Sequence, residues 1–256
     1  MIAMSSSKEP HHFCRDARYS EGATAHNKLF EDKSDALYFG ESSTGYLPWP
    51  TAAERIARDL DRPKAIIILR HPVARCFSHY RWRYRLGLEK RSFLEAIKND
   101  GFGFDPEQPT EYGYMAYLEF SQYARQCQIW EEALGSMNCL ILASDDLRKH
   151  HERTLTRCFD FLGLPPLNSY SKPENVNETN TLGRRPSRTM TGLAGLLPRG
   201  FKSSPVYQQL KDKILKVTAP VAPATMTTEE RTFVEESLAE DIAWYEARFA
   251  IPNKVD

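Results

Sequence analysis

The stretch from Ala65 to Tyr80 constrains the fold of this 256-residue chain more than any other. Ala65-Ile66-Ile67-Ile68-Leu69 is a continuous apolar run, with three β-branched isoleucines, of the length of one strand. Such a run, apolar on both sides, is expected for a strand of a parallel sheet covered on both faces. It passes without a gap into Arg70-His71-Pro72-Val73-Ala74-Arg75-Cys76-Phe77-Ser78-His79-Tyr80. Proline is tolerated in a first helical turn, so a helix should follow Pro72. An arginine fork and a small hydroxyl at the junction of strand and helix suit a phosphate-like anion.

The rest of the chain supports the same class. Leu37-Tyr38-Phe39-Gly40 reads as a short strand, and Pro50 to Leu60 as a helix with Thr51 as a candidate N-cap. Tyr117, Phe120, Ala124, Cys127, Trp130 and Leu134 recur every three or four residues and predict a helix. Cys139 to Ala143 is a second buried strand. Asp145-Asp146 should open a helix that runs to Gly163 as its C-cap. Two further helices are expected over Val206 to Val217 and Thr228 to Phe249, whereas the residues up to Ser7 show no start of a fold. Strands alternating with helices predict an α/β domain with helices packed on a parallel sheet. The length fits a single domain over residues 1–256.

Lys+Arg and Asp+Glu balance at 34 each, which argues against bulk attraction to nucleic acid or membrane. Five scattered cysteines form no CxxC pair, so neither a zinc site nor a disulfide framework is expected. Cys127 and Cys158 fall in amphipathic patterns and read as small core residues. No apolar run reaches the ~20 residues that span a bilayer, and the N-terminus lacks a signal-peptide core. The expected location is the cytoplasm.

Leu69 to Tyr80 resembles the 3′-phosphate-binding motif of sulfotransferases that use 3′-phosphoadenosine 5′-phosphosulfate, Arg-x-Pro-x-x-Arg-x-x-Ser-x-Tyr, with every fixed position filled. Lys8-Glu9-Pro10-His11-His12-Phe13 resembles the Lys-Glu-x-His-Phe-Phe segment of the carbohydrate (heparan-type) and bacterial branch, and Gly40 to Leu47 its Gly-Glu-Lys-Thr-Pro-x-Tyr segment. The likeness continues through Phe161-Leu162-Gly163-Leu164. It implies a P-loop-NTPase-like sheet flanked by helices. It also implies sulfuryl transfer to a hydroxyl or amine of a carbohydrate or small molecule, without a metal.

The resemblance assigns roles residue by residue. Arg70 and Ser78 would bind the 3′-phosphate. Arg75 would join them, or brace the loop, or cover apolar surface with its stem. Tyr80 reads as packing. Glu9 would be the general base, with Lys8 stabilising the transferring group or pairing with Glu9. Glu41 and His12 would contact the acceptor, although Glu41 also suits a turn cap. His26 and His79 are alternative bases. Gly183, Arg184 and Arg185 sit where the family closes a basic loop over the donor. Trp49 and Trp82 would contact adenine or the acceptor, or pack in the core, which is the expectation for each.

Three departures stand out. The family's first strand and its Lys-x-Gly-Thr-Thr loop, which cradles the 5′-phosphosulfate, have no counterpart here. The expectation is that the sequence begins late relative to the family. Ser42 replaces the lysine of the Gly-Glu-Lys segment, and Cys14 replaces an acidic residue that some members carry five positions after the base. Two other classes therefore stand beside the enzyme. One is a non-catalytic module that binds adenosine 3′,5′-bisphosphate or acts as a scaffold. The other is a nucleotide kinase, for which only Asp145 or Asp146 could hold magnesium.

Overall fold

Two short parallel strand pairs organise the molecule. The computed structural model describes residues 2–30, 36–100, 116–165 and 223–250. In β1 (Ile2–Met4) and β2 (Tyr38–Gly40), Ile2 lies opposite Tyr38 and Met4 opposite Gly40. In β3 (Ala65–Leu69) and β4 (Cys139–Ala143), Ala65 lies opposite Cys139 and Leu69 opposite Ala143. At Gly40 a Cβ would stand 2.9 Å from the sulfur of the exposed Met4 side chain, which would have to swing aside. The strand at Ile2–Met4 lies in a segment that shows no sign of structure in sequence. Three residues carry no periodicity, and only the partner strand makes them a strand.

The helices α1 (Asp16–Tyr19) and α2 (Gly22–Asn27) follow β1, and α3 (Pro50–Asp59) follows β2. α4 (Pro72–Arg85) leaves β3 directly, then α5 (Phe93–Lys98) and α6 (Tyr123–Leu134) precede β4. After β4 come α7 (Ser144–Lys149), α8 (His151–Leu162), α9 (Thr228–Ser237) and α10 (Ala239–Phe249). One core gathers Phe13, Cys14, Tyr46 and Trp49 with α3, α6 and the inward residues Ile67, Leu69 and Ile141. Trp49 is wholly buried and meets Phe120 edge-on at 5.0 Å. A second core joins Val73, Phe77 and Tyr80 of α4 to α5, Tyr117, Val234 and Leu238. Phe13, Cys14 and Tyr46 are thereby packed in one core with β3, the strand that ends just before Arg70.

Several expectations need correction. β3 is covered on one face only: Ile66 is 38% and Ile68 49% exposed, while Ile67 and Leu69 are buried. Thr51 is not the N-cap of α3. Trp49 holds that place, Pro50 is the first helical residue, and the buried Thr51 hydroxyl has no partner among the described residues. The helix expected from Tyr117 starts at Tyr123, because Asp100 accepts the Leu118 and Glu119 N–H groups at 2.7 and 3.1 Å and holds a tighter turn there. The helix opened by Asp145-Asp146 breaks at His150, whose φ and ψ of −129° and 51° are not helical. The last helix likewise breaks at Leu238. In the last helix the apolar stripe Val234, Leu238 and Ile242 runs through the break, so periodicity alone hides it. Trp82 is 38% exposed rather than buried, and Cys158 is half-buried. Gly163 does end α8 in the left-handed conformation, φ 68°. The helix expected over Val206 to Val217 lies outside the described residues.

Candidate functional site

The loops after β1 and β2 meet because the two strands run parallel, so their C-terminal ends adjoin. The loop after β1 is bent sharply. Three described non-glycine residues have positive φ, and two of them, Glu9 and His11, flank Pro10 at 54° each. Side chains rarely adopt this region, and such strain concentrates where geometry serves a site.

The strain delivers a convergence on one carboxylate oxygen. Glu9 Oε2 accepts the Thr44 N–H at 2.8 Å and the Thr44 hydroxyl at 3.0 Å. His11 Nε2 lies 3.5 Å from the same oxygen. His11 is itself fixed, because its N–H donates to Ser43 Oγ at 3.0 Å and its Nδ1 lies 3.5 Å from Cys14 Sγ. Burial, and then the charge of Arg15, lower the His11 pKa, so the ring is neutral near pH 7. Burial raises the Cys14 thiol to about 12 and keeps it protonated. The consistent tautomer has S–H facing Nδ1 and Nε2–H facing Glu9. Glu9 Oε1 has no partner among the described residues.

Below this lies a second network. Glu41 Oε1 is 2.9 Å from His26 Nε2, and Glu41 Oε2 accepts the Tyr46 hydroxyl at 2.9 Å. His12, only 7% exposed, stacks on His26 with ring centroids 4.6 Å apart. Burial and the neighbouring His26 lower the His12 pKa. Glu41 is thus engaged by His26 and Tyr46, and His12 lies buried against the His26 ring. Lys8 is exposed at the rim.

At the end of β3 the picture reverses. Arg70 is exposed, Ser78 is half-buried on α4, and neither side chain has a hydrogen-bond partner among the described residues. Arg75 points inward instead. Its guanidinium donates to the Tyr117 carbonyl at 2.8 Å and Ser121 Oγ at 3.2 Å, lies 3.0 Å from His79 Nδ1, and covers the Phe120 ring. Of the open readings for Arg75, bracing is the one its contacts fit: it ties α4 to the segment that starts α6. Tyr80, 1% exposed, packs in the second core and donates to the Arg91 carbonyl at 2.9 Å. Gly183, Arg184 and Arg185 lie outside the described residues.

Sequence reasoning missed Thr44 and Ser43 as the groups that seat Glu9 and His11. Their signal was a Ser-Thr pair just after a strand, where short hydroxyls commonly bond nearby backbone and side chains. A cavity of about 650 Å³ against β4 contains none of these residues. The chemistry-bearing groups, not that cavity, define the candidate site.

No family model matches the chain. No curated protein matches it. Among solved structures it is similar to a sulfotransferase from Alicyclobacillus acidocaldarius, with a TM-score of 0.64 and 18% identity over 97% of this chain and 85% of that one. A sulfotransferase domain from the curacin biosynthetic pathway aligns at a TM-score of 0.40, with 20% identity over 84% of this chain and 67% of that one. The first similarity shows that the mixed α/β arrangement is that of a sulfotransferase structure. No described helix is long and apolar enough to cross a membrane.

Proposed function

We propose that the protein is a sulfotransferase that takes 3′-phosphoadenosine 5′-phosphosulfate as donor and a hydroxyl or amine of a carbohydrate or small molecule as acceptor. The observation that carries this reading is the Arg70 fork and Ser78 hydroxyl at the strand-to-helix turn after β3, neither with a hydrogen-bond partner among the described residues. A residue that only stabilises the fold finds partners within it, as Arg75 does. Donors left open beside a helix start fit the two charged oxygens of a phosphate monoester.

The donor supplies an electrophilic sulfur and leaves as adenosine 3′,5′-bisphosphate. The chain's own residues do the rest. Arg70 and Ser78 hold the 3′-phosphate and fix where the adenosine lies. Thr44 and His11 hold Glu9 through Oε2 and leave Oε1 to take the acceptor's proton. Lys8, next to that base, places positive charge near the transferring group. In this reading Gly183, Arg184 and Arg185 close over the donor.

Titration calorimetry with adenosine 3′,5′-bisphosphate tests the donor site. The wild type should bind, and Arg70→Ala should weaken binding more than about tenfold, the worth of one charge-assisted contact. Absence of binding by the intact wild type sinks the donor assignment. Labelled-sulfate transfer onto a panel of sugars and phenols tests the chemistry. Binding without transfer to any of them returns the chain to a non-catalytic module that keeps only the bisphosphate site.

A further inference from the structure

The cavity against β4 is lined by Cys139, Leu140 and Ile141, three consecutive residues of one strand. Side chains of a strand alternate between faces, so a run of three neighbours lines a cavity where the strand is met edge-on. β4 pairs with β3 on one side and with no described strand on the other. The cavity thus follows the outer edge of β4, where main-chain donors and acceptors face outward.

Its remaining walls carry charge. α8 contributes Arg153 and Arg157, one helical turn apart, and α10 contributes Arg248 beside Phe249. Arg157 is exposed and makes no hydrogen bond or ion pair among the described residues. Arg153 reaches Asp146 only at 3.9 Å. Arg248 pairs with Glu131 at 2.9 Å and stacks over the Trp244 ring at 5.2 Å. Among the described lining residues, Asp146 is the one acidic side chain against three arginines. The chain as a whole has zero net charge, so this excess is local.

We propose that this cavity binds an extended peptide segment rich in acidic side chains, laid along the outer edge of β4. The strand edge supplies main-chain hydrogen bonds, which is how sheets recruit extended peptides. The arginines supply forks that match carboxylates. Phe249 offers an apolar wall to the alternate side chains of the same segment. The volume lies within the range of ordinary ligand sites. The site shares no residue with the donor site, so it stands or falls independently of the sulfotransferase reading.

The test is fluorescence anisotropy at low salt on the full chain, using a short labelled peptide of alternating valine and glutamate. A valine–glutamine peptide serves as the uncharged comparison and inorganic sulfate as competitor. The glutamate peptide should bind at least about tenfold tighter than its glutamine counterpart, and Arg157→Glu should weaken it by about tenfold or more. Arg153→Glu, at a second exposed position, should do the same. Trp244 emission should change on binding, because the ligand engages the arginine stacked on that ring. Equal affinity for the two peptides overturns the proposal, as does indifference to both charge reversals. Full displacement by millimolar sulfate also overturns it, in favour of a plain oxyanion site.

Discussion

The Glu9 loop and the Arg70 turn treat their polar groups in opposite ways. Around Glu9 almost every group is engaged: Thr44, Ser43, His11, His26, Glu41 and Tyr46 satisfy one another through contacts of 2.8 to 3.5 Å. At Arg70 and Ser78 the side-chain donors have no partner among the described residues. A proton acceptor must be aimed, which takes surrounding donors, whereas an anion binder must keep its own donors for the ligand. The comparison teaches that the two halves should fail differently, one through geometry and stability and the other through affinity alone.

The largest expected effect breaks the wired half at Glu9, whose Oε1 has no partner among the described residues. Glu9→Gln keeps the shape and removes the basic oxygen. It should lower sulfuryl transfer by roughly 10²–10⁴-fold while leaving bisphosphate affinity unchanged, as steady-state assay and calorimetry on one preparation would show. A comparable loss of affinity would mean that the two halves are not separate. Next is Tyr46→Phe, which takes a donor from the buried Glu41 carboxylate. Urea unfolding should show a loss of about 1–3 kcal/mol, the cost of one deprived buried acceptor. Ser78→Ala sharpens the contrast from the other side. It should weaken bisphosphate binding by several-fold, with unfolding free energy within about 0.5 kcal/mol of wild type.

The smallest effect is a pH dependence confined to the wired half. Burial lowers the pKa of both His11 and His12 below the ordinary value of 6.5. A histidine with a lowered folded pKa stabilises the fold above its unfolded pKa. That contribution is lost as the pH falls below about 6.5, because the unfolded chain then takes up the proton more readily. His12 faces His26, Glu41, Glu21 and Asp59, and His11 faces Arg15, Glu9, Glu41 and Arg18. Thermal melts from pH 7 to pH 5 should show a falling midpoint, and His12→Phe should flatten the slope. An unchanged slope in that variant would assign the dependence elsewhere.

The sequence reveals what local physics determines. β3, the proline start of α4, β4 and the Gly163 cap all follow from runs, turns and caps within a few residues. Arg70, Ser78 and Glu9 stand out because motif and position agree. The remainder depends on contacts between distant residues. β1 is a strand only because Tyr38 to Gly40 lies beside it. Glu9 is aimed by Thr44, 35 positions away, and no spacing rule links them. The inward turn of Arg75 needs the Tyr117 carbonyl, 42 positions away. The exposure of Ile66 and Ile68 is equally hidden, since a run of isoleucines looks the same whether one or both faces are covered.

The parallel register of β3 on β4 has a consequence for synthesis. The chain leaving the ribosome presents Leu69 about 70 residues before Ala143, its partner, exists. At roughly 5–20 residues per second that interval is about 4–15 s. Throughout it β3 has no β4 beside it, and its isoleucines have no sheet to join. Slower translation between these two strands lengthens the exposure of a sticky edge, so the yield of folded protein should depend on codon speed and chaperone supply over that span more than anywhere else in the gene.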